Sequence, residues 1–298
     1  MRITLLVNPR SGRGRAARIA DAIDAALRAR GHVTERITVG AQPDPDPGRL
    51  GETEAMVVVG GDGTVHHAAP RAVEARVPIY HAASGNENLF AREFSMSPAP
   101  ERVLGALEHG TTRFVDQGVC NGAAFLIMGS VGPDASVIDR LSVTRRRPSG
   151  HSAYVRPVIA EARSPRIPRV TVRVDGREVL SATRAMVVVA NSRQYALRID
   201  PCRDADMGDG LLDVVALPCA TAAGALRRLV QCRFRRQGSD RRVVGARGRS
   251  VHLELLEGEA HCQFDGEAPA PGSGTHQNRA LEFTVLPGVL PVRVPPAR

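Results

Sequence analysis

Residues 2–7 (RITLLV) form a continuous apolar run that stops at Asn8-Pro9, which predicts a strand ending in a turn. The period then changes. In 15–30 (RAARIADAIDAALRAR), Ile19, Ile23, Ala26 and Leu27 fall on one helical face, and Gly31 follows as a C-cap. A second strand is expected at 32–39, and the stretch 41–53, rich in proline and aspartate, as a loop. Residues 55–59 (AMVVV) are apolar without alternation, the pattern of a strand buried on both faces. Gly60-Gly61-Asp62-Gly63-Thr64 comes next, then a helical stretch to about residue 75 and another strand at 77–80. Strand, helix, strand, helix in this order predicts a doubly wound α/β unit.

Beyond about residue 115 short strand-like runs alternate with turns, at 122–128, 169–174, 185–190, 211–217, 250–256 and 281–286. Helical patterns occur at about 135–142, 151–163 and 221–233. The expected division is an α/β domain over 1–115 and a β-rich, largely antiparallel domain over 116–286. The segment 268–279 (APAPGSGTHQNR) reads as a flexible loop. The proline-rich tail, 287–298, is expected either to be disordered or to pack back on the first domain.

Composition narrows the chemistry. No stretch reaches 18 consecutive apolar residues, which predicts no membrane-spanning helix. The apolar run at the N-terminus is too short for a signal peptide, so the expected location is cytoplasmic. Five scattered cysteines without a C-x-x-C pair argue for buried free thiols rather than disulfides or zinc. All 40 basic residues are arginine. A Walker-type lysine, a Schiff-base lysine and a protein-kinase lysine are therefore excluded. The net charge of +9 favours an anionic partner, with a nucleotide, a membrane surface and nucleic acid all open.

Gly60 to Thr64 is the most informative stretch. It lies between a buried strand and a helix, where glycines permit close backbone approach and successive N–H groups form an anion site. Asp62 sets it apart from a plain phosphate cradle, because a carboxylate beside phosphates implies a metal or a proton-bearing hydroxyl. A second anion-friendly loop, Asn8 to Gly14 (NPRSGRG), also joins a strand to a helix. Both loops belong at the carboxyl ends of parallel strands, where open α/β sheets bind ligands.

The two loops resemble those of the diacylglycerol kinase catalytic-domain family, which includes bacterial lipid kinases and sphingosine kinases. The family's V-N-P-x-S-G-x-G is matched by Val7 to Gly14, its G-G-D-G-T by 60–64, and its P-x-G-T-x-N-(D/L)-F-A by Ala83 to Ala91 (ASGNENLFA). Its G-x-D-A corresponds to Gly132-Pro133-Asp134-Ala135, its D-G-x-L-D to Asp209 to Asp213, and its late D-G-E to Asp265-Gly266-Glu267. The resemblance implies an α/β nucleotide domain joined to a β-sandwich-like domain, with the active site in the cleft between them. It implies ATP as donor and Mg2+ as cofactor. Asn8, Gly60, Gly61, Asp62, Gly63, Thr64, Gly85 and Asn88 would hold the nucleotide. Asp265 would be the general base, with Glu267 close by, although one branch of the family gives that role to the position of Asp62. Asp209 would bind a structural magnesium together with backbone carbonyls near Asp206 and Leu211. The implied partner is a lipid substrate met at an anionic membrane surface, peripherally and on the inner membrane. Oligomeric state is left open, a homodimer included.

The chain departs from the family pattern at His66-His67, where N-E is usual, and at Ala83, Asn86 and Pro133. Adjacent helical residues point about 100° apart, which argues against one metal shared by the histidine pair. Arginines 227, 228, 233, 235, 236, 241, 242, 247 and 249 face a single acid, Asp240, within 226–249. Leu226, Leu229, Val230 and Phe234 lie among them at helical spacing, so a membrane-surface helix and an ordinary solvated helix are both open. Arg145-Arg146-Arg147 carries the same ambiguity. Aromatic residues make up only 3%, a poor fit to nucleic-acid binding. A lipid kinase is the leading reading. An NAD kinase-like enzyme and a catalytically weak nucleotide- or lipid-binding protein are the alternatives.

Overall fold

The computed structural model describes residues 1–40, 50–143, 165–234, 236, 240–257, 261–269 and 279–296. The expected helix at 151–163, the Arg145–Arg147 cluster, Arg235 and most of the 268–279 loop lie outside them. The chain divides into two units, Met1–Val115 with Gly288–Arg298, and Asp116–Pro287.

The first unit is built on β1 (Arg2–Val7), β2 (Val33–Thr38), β3 (Ala55–Gly60) and β4 (Ile79–Ala83). β1 pairs in parallel with both β2 and β3, and β3 with β4, giving the order β2-β1-β3-β4. Helix α1 (Arg15–Ala29) connects β1 outward to β2, and α2 (Asp62–Ala75) connects β3 outward to β4. Right-handed crossovers running in opposite directions place the two helices on opposite faces. β3 is buried at every position, as its unbroken apolar run requires. Helix α1 buries Ala16, Ala20, Ile23 and Leu27, while Ile19 and Ala26 are half-buried. The inner face thus combines two alanines with two large aliphatic residues. Two helices without a clear sequence signal follow, α3 (Leu89–Glu93) and α4 (Pro100–His109). Residues 288–294, in the supposed tail, are strand. Val292 pairs in parallel with Ile79, and Arg293 donates to the carbonyls of Ala106 and Leu107, neutralising the C-terminal end of α4.

The second unit is a β-sandwich. Its strands are the end of β5 (Thr111–Cys120), β6 (Ala123–Phe125), β7 (Met128–Val131), β8 (Arg169–Val174), β9 (Arg177–Ala190), β10 (Leu212–Pro218), β11 (Val244–Gly248), β12 (Ser250–Glu257), β13 (Cys262–Phe264) and the start of β14 (Ala280–Val294). Helices α5 (Pro133–Val143) and α6 (Ala222–Arg233) interrupt them. β9 serves both layers. Its first half pairs with β8, and its second half pairs with β10 and β7. The change of partner falls between Arg184 and Ala185, just past an irregularity at Ala182, whose φ is 40°. The core between the layers holds Phe125, Phe264 and Phe283, with ring centroids 5.8–6.4 Å apart. All five cysteines are free and buried. Among the described residues no helix is long and apolar enough to cross a membrane.

Candidate functional site

Three loops of the first unit meet at the carboxyl ends of β1, β3 and β4, on both sides of the β1/β3 switch point. This is where the strand order reverses and where open sheets of this kind hold ligands. The Asn8 side-chain amide donates to Thr64 Oγ1 at 3.2 Å, tying the first loop to the second. Ser84 donates its backbone N–H to the Gly60 carbonyl at 2.8 Å and its hydroxyl to Ser11 Oγ at 2.9 Å, which brings in the third. Arg15 reaches the carbonyls of Gly12 and Ser84.

Helix α2 starts at Asp62, so Gly60 ends β3, Gly61 is the N-cap and Asp62 to Thr64 open the first turn. The first N–H groups of a helix have no intrahelical acceptor, and they are presented where the three loops converge. Asp62 Oδ1 accepts from the backbone N–H of Phe90 at 3.2 Å. Side chains are excluded where these loops touch. A Cβ on Gly12 would lie 2.2 Å from the Ser84 carbonyl oxygen, and one on Gly85 would lie 2.9 Å from both Gly61 Cα and Asn88 Oδ1. Asn88 has a φ of 52° and donates its amide to the Gly85 carbonyl. Its Oδ1 is buried without a hydrogen-bond partner. A buried acceptor of this kind calls for a donor, such as a hydroxyl or an amine of a bound nucleotide.

His81 lies beneath the glycine-rich turn, fully buried, with Nε2 3.0 Å from the Gly60 carbonyl. Burial lowers its pKa to about 4. It is therefore neutral, with its proton on Nε2 facing the carbonyl. His66 is half-buried and His67 exposed, and their rings stand edge to face at 5.1 Å. A cavity of about 650 Å³ lined by Glu93, Arg102, Arg113 and Pro295 contains none of the motif residues.

The remaining candidates belong to the second unit. Asp265 and Gly266, with φ of 54° and 81°, are the central residues of a two-residue hairpin between Phe264 and Glu267, which exchange both backbone hydrogen bonds. The D-G pair is what such a turn demands. The Asp265 carboxylate is buried and accepts from the N–H groups of Leu126 (2.8 Å), Ile127 (2.7 Å) and Met128 (3.1 Å). Three of its roughly four acceptor positions are thus occupied by backbone. Gln263 fixes the turn from below. It accepts from the Gly266 N–H at 2.7 Å and donates to Ser130 Oγ, which in turn donates to Asp134 Oδ2 at 2.5 Å. Tyr195 donates to the same Asp134 oxygen, and burial, then Asp134, pushes the phenol well above its usual range. Glu267 is half-buried at the end of the turn.

Asp206 and Asp209 lie on one turn. Asp206 Oδ1 accepts from Gly208 N–H, and Asp209 Oδ1 from the N–H of Leu211. Asp209 Oδ2 is 3.5 Å from Arg247. Beneath the turn, buried Asp116 accepts from the Gly210 N–H at 2.7 Å. Among the described residues no three His, Cys, Asp or Glu side chains gather as a metal cage. A cation at the Asp206–Leu211 turn would have to share the Asp209 carboxylate with the Arg247 guanidinium.

Two polar residues that sequence reasoning passed over connect these elements. Asn191 donates to the carbonyls of Asp116 (2.9 Å) and Leu126 (2.8 Å), and its own N–H goes to Ile127. The Asp206–Leu211 turn, Asp116, Asn191, the 126–128 amides and Asp265 therefore form one hydrogen-bonded path. The available signal was an asparagine ending a buried apolar run, AMVVVAN, as Asn8 ends RITLLVN. Asp116 carries no signal of its own.

Known proteins place the chain in a family. The profile described as the diacylglycerol kinase catalytic domain matches residues 2–120, and that of the YegS C-terminal NAD kinase beta sandwich-like domain matches 128–294. A protein of Mycobacterium tuberculosis (strain CDC 1551 / Oshkosh) named "Diacylglycerol kinase" is 28% identical, over 99% of this chain and 95% of its own length. A Pseudomonas aeruginosa protein (strain UCBPP-PA14) named "Probable lipid kinase YegS-like" is 29% identical, over 80% of this chain and 76% of its own. A crystal structure of a diacylglycerol kinase from Bacillus anthracis str. Sterne superposes with a TM-score of 0.71 at 21% identity, covering 99% of this chain and 97% of that one, and so shares the fold. With both halves of its length matched in order, the chain belongs to the diacylglycerol kinase catalytic-domain family, carrying its YegS-type β-sandwich domain.

Proposed function

We propose that this protein is a lipid kinase that transfers the γ-phosphate of ATP to the hydroxyl of a diacylglycerol or a long-chain base. One observation carries the reading. Three loops close around a helix N-terminus at the sheet's switch point, with glycines where a Cβ would fill the space and a buried Asn88 oxygen that lacks a donor. The names of the M. tuberculosis and P. aeruginosa relatives support a lipid rather than a small sugar or a protein as acceptor.

In this reading the lipid hydroxyl oxygen bonds to the γ-phosphorus as the bond from that phosphorus to the β–γ bridging oxygen breaks. ADP leaves, and the hydroxyl proton passes to a carboxylate. Asp62 and Asp265 are the two carboxylates proposed for that proton. Phosphoryl transfer asks mainly for alignment and charge neutralisation, which the α2 amides, Thr64 and Asn8 supply on the donor side. Asp209, with carbonyls near Asp206 and Leu211, would hold a structural magnesium. The Asp116–Asn191 path holds that turn and the Asp265 hairpin in one frame.

The test is transfer from labelled ATP, with magnesium, to a panel of lipids in mixed micelles, beside Asp62→Asn and Asp265→Asn variants. Transfer to a lipid establishes the activity, and its loss in one variant that remains folded identifies the base. An NAD tube in the same series covers the second reading, which the description of the β-sandwich profile favours. No transfer to any lipid with ATP binding intact overturns the proposal.

A further inference from the structure

Helix α6 begins at Thr221, whose side chain caps it, and turns Ala225, Arg228 and Cys232 inward. Its outer side is unusual. Leu226 is 63% exposed, Val230 47%, and Phe234, one residue past the helix, 65%. At about 100° per residue these three positions fall within an arc of about 80°, with exposed Ala223 inside it. Arg233 falls roughly 20° beyond one edge of that arc and Arg227 roughly 20° beyond the other. Both are exposed, and the Arg233 guanidinium lies 5.9 Å from the centre of the Phe234 ring. The helix contains no acid.

The orientation is locked. Arg228, near the middle of the inner face, donates to the Pro218 carbonyl at 2.9 Å and to Asp240 at 2.6 Å. The one acid of the basic stretch is therefore spent internally, shared between Arg228 and Arg242. Arginines that the sequence places together serve different ends. Arg228 is structural, Arg247 pairs with Asp213, and Arg227 and Arg233 border the apolar stripe.

We propose that the Leu226–Val230–Phe234 stripe with its bordering arginines seats this protein on the surface of an anionic lipid bilayer, the helix lying in the plane of the headgroups. An apolar line flanked on both sides by cations suits acyl chains below and lipid phosphates beside it. A protein partner fits less well. A stable interface takes about 800 Å² and 20–30 residues per side, and the stripe offers three side chains. The inference deepens the lipid-kinase reading, because a kinase whose acceptor stays in the bilayer must come to it.

The experiment is flotation with vesicles of phosphatidylglycerol and phosphatidylethanolamine, against phosphatidylcholine alone, using wild type, Val230→Ser/Phe234→Ser, Arg227→Gln/Arg233→Gln, and Val33→Ser as an exposed apolar control in the other unit. The expected result is binding to anionic vesicles only, weakened roughly tenfold by either double variant and unchanged by the control. Phosphate transfer to a water-soluble short-chain diacylglycerol, measured on the same proteins, is expected to be unaffected. Equal binding by the wild type and both double variants overturns the proposal. So does a wild type that ignores anionic vesicles, or one that self-associates through the stripe in sedimentation equilibrium, which makes a second copy the occupant. Stripe-dependent vesicle binding without phosphate transfer to any lipid leaves this proposal standing and removes the kinase reading, so the two failures are distinct.

Discussion

The Asp62 carboxylate accepts the backbone N–H of Phe90 at 3.2 Å, so the residue that marks the glycine-rich turn also caps a helix from a neighbouring loop. Asn88, the residue that should cap α3, sits in the left-handed region and makes no such bond. Asparagine at position 62 keeps an acceptor for Phe90, whereas alanine does not. Asp62→Asn should therefore melt within about 0.5 kcal/mol of wild type, and Asp62→Ala about 1 kcal/mol below it. If the charge also serves the phosphates or the attacking hydroxyl, both variants lose transfer by roughly 10²–10⁴-fold. Calorimetry beside the kinase assay separates the two roles. Full activity in Asp62→Asn would confine Asp62 to capping.

Asp265 calls for a different forecast. Its two oxygens receive three backbone N–H groups, so an amide in its place must turn an N–H donor toward another donor. Leaving a buried donor unmatched costs about 1–3 kcal/mol. Asp265→Asn should lower the urea midpoint accordingly, with the m-value unchanged. Loss of activity in this variant counts as loss of a base only if the protein remains folded at the assay temperature. An unshifted midpoint would mean that the hairpin does not depend on the carboxylate.

These two residues show what could be read from the letters. That Asn8, Gly60 to Thr64, Gly85 and Asn88 come together was legible because each lies at the carboxyl end of a strand of one parallel sheet. The D-G of Asp265-Gly266 was legible as a motif, while its role as a hairpin turn was not. Helix α1 was legible with Ile23 and Leu27 on its buried face, but apolar spacing puts Ile19 and Ala26 there instead of Ala16 and Ala20, which carry little hydrophobic weight and yet pack fully. Asn191 and Asp116 were invisible. Their role arises from a hydrogen bond between positions 75 residues apart, which no local pattern encodes. The same holds for α6, where apolar spacing announced a helix but only the fold shows that Arg228 points in and Phe234 points out.

His81 makes stability depend on pH. Its folded pKa, about 4, lies below the ordinary 6.5 because burial disfavours the cation. The unfolded chain takes up a proton as pH falls through 6.5, and the folded protein does not until about 4. Stability from this group is therefore whole above 6.5 and is lost progressively down to 4, by roughly 3 kcal/mol in all. His81→Gln, which can still donate to the Gly60 carbonyl, should flatten that part of the curve. Urea midpoints of both proteins between pH 7.5 and 4.5, roughly the window set by these values, provide the check. Parallel curves would place the pH dependence elsewhere.

The glycines offer the most direct trial of the nucleotide site. In Gly12→Ala the new methyl lies 2.2 Å from a backbone oxygen, that of Ser84, at a φ of +60°. Neither the carbonyl nor the left-handed backbone can yield cheaply, so the cost should be roughly 1–3 kcal/mol of stability as well as nucleotide affinity. Gly85→Ala is milder for the fold. Its methyl meets the Asn88 amide, a side chain able to swing, and Gly61 Cα, which is not. The expected result is a melt lowered by about 1 kcal/mol, less than in Gly12→Ala, with ATP affinity at least about tenfold weaker by titration calorimetry, because Asn88 and Gly61 belong to the proposed nucleotide site. Gly105→Ala, in α4 with nothing within 4 Å, is the control and should gain up to about 1 kcal/mol with ATP binding unchanged. Wild-type ATP affinity in Gly85→Ala would mean that the nucleotide does not lie against these loops, and the lipid-kinase reading would lose its main support.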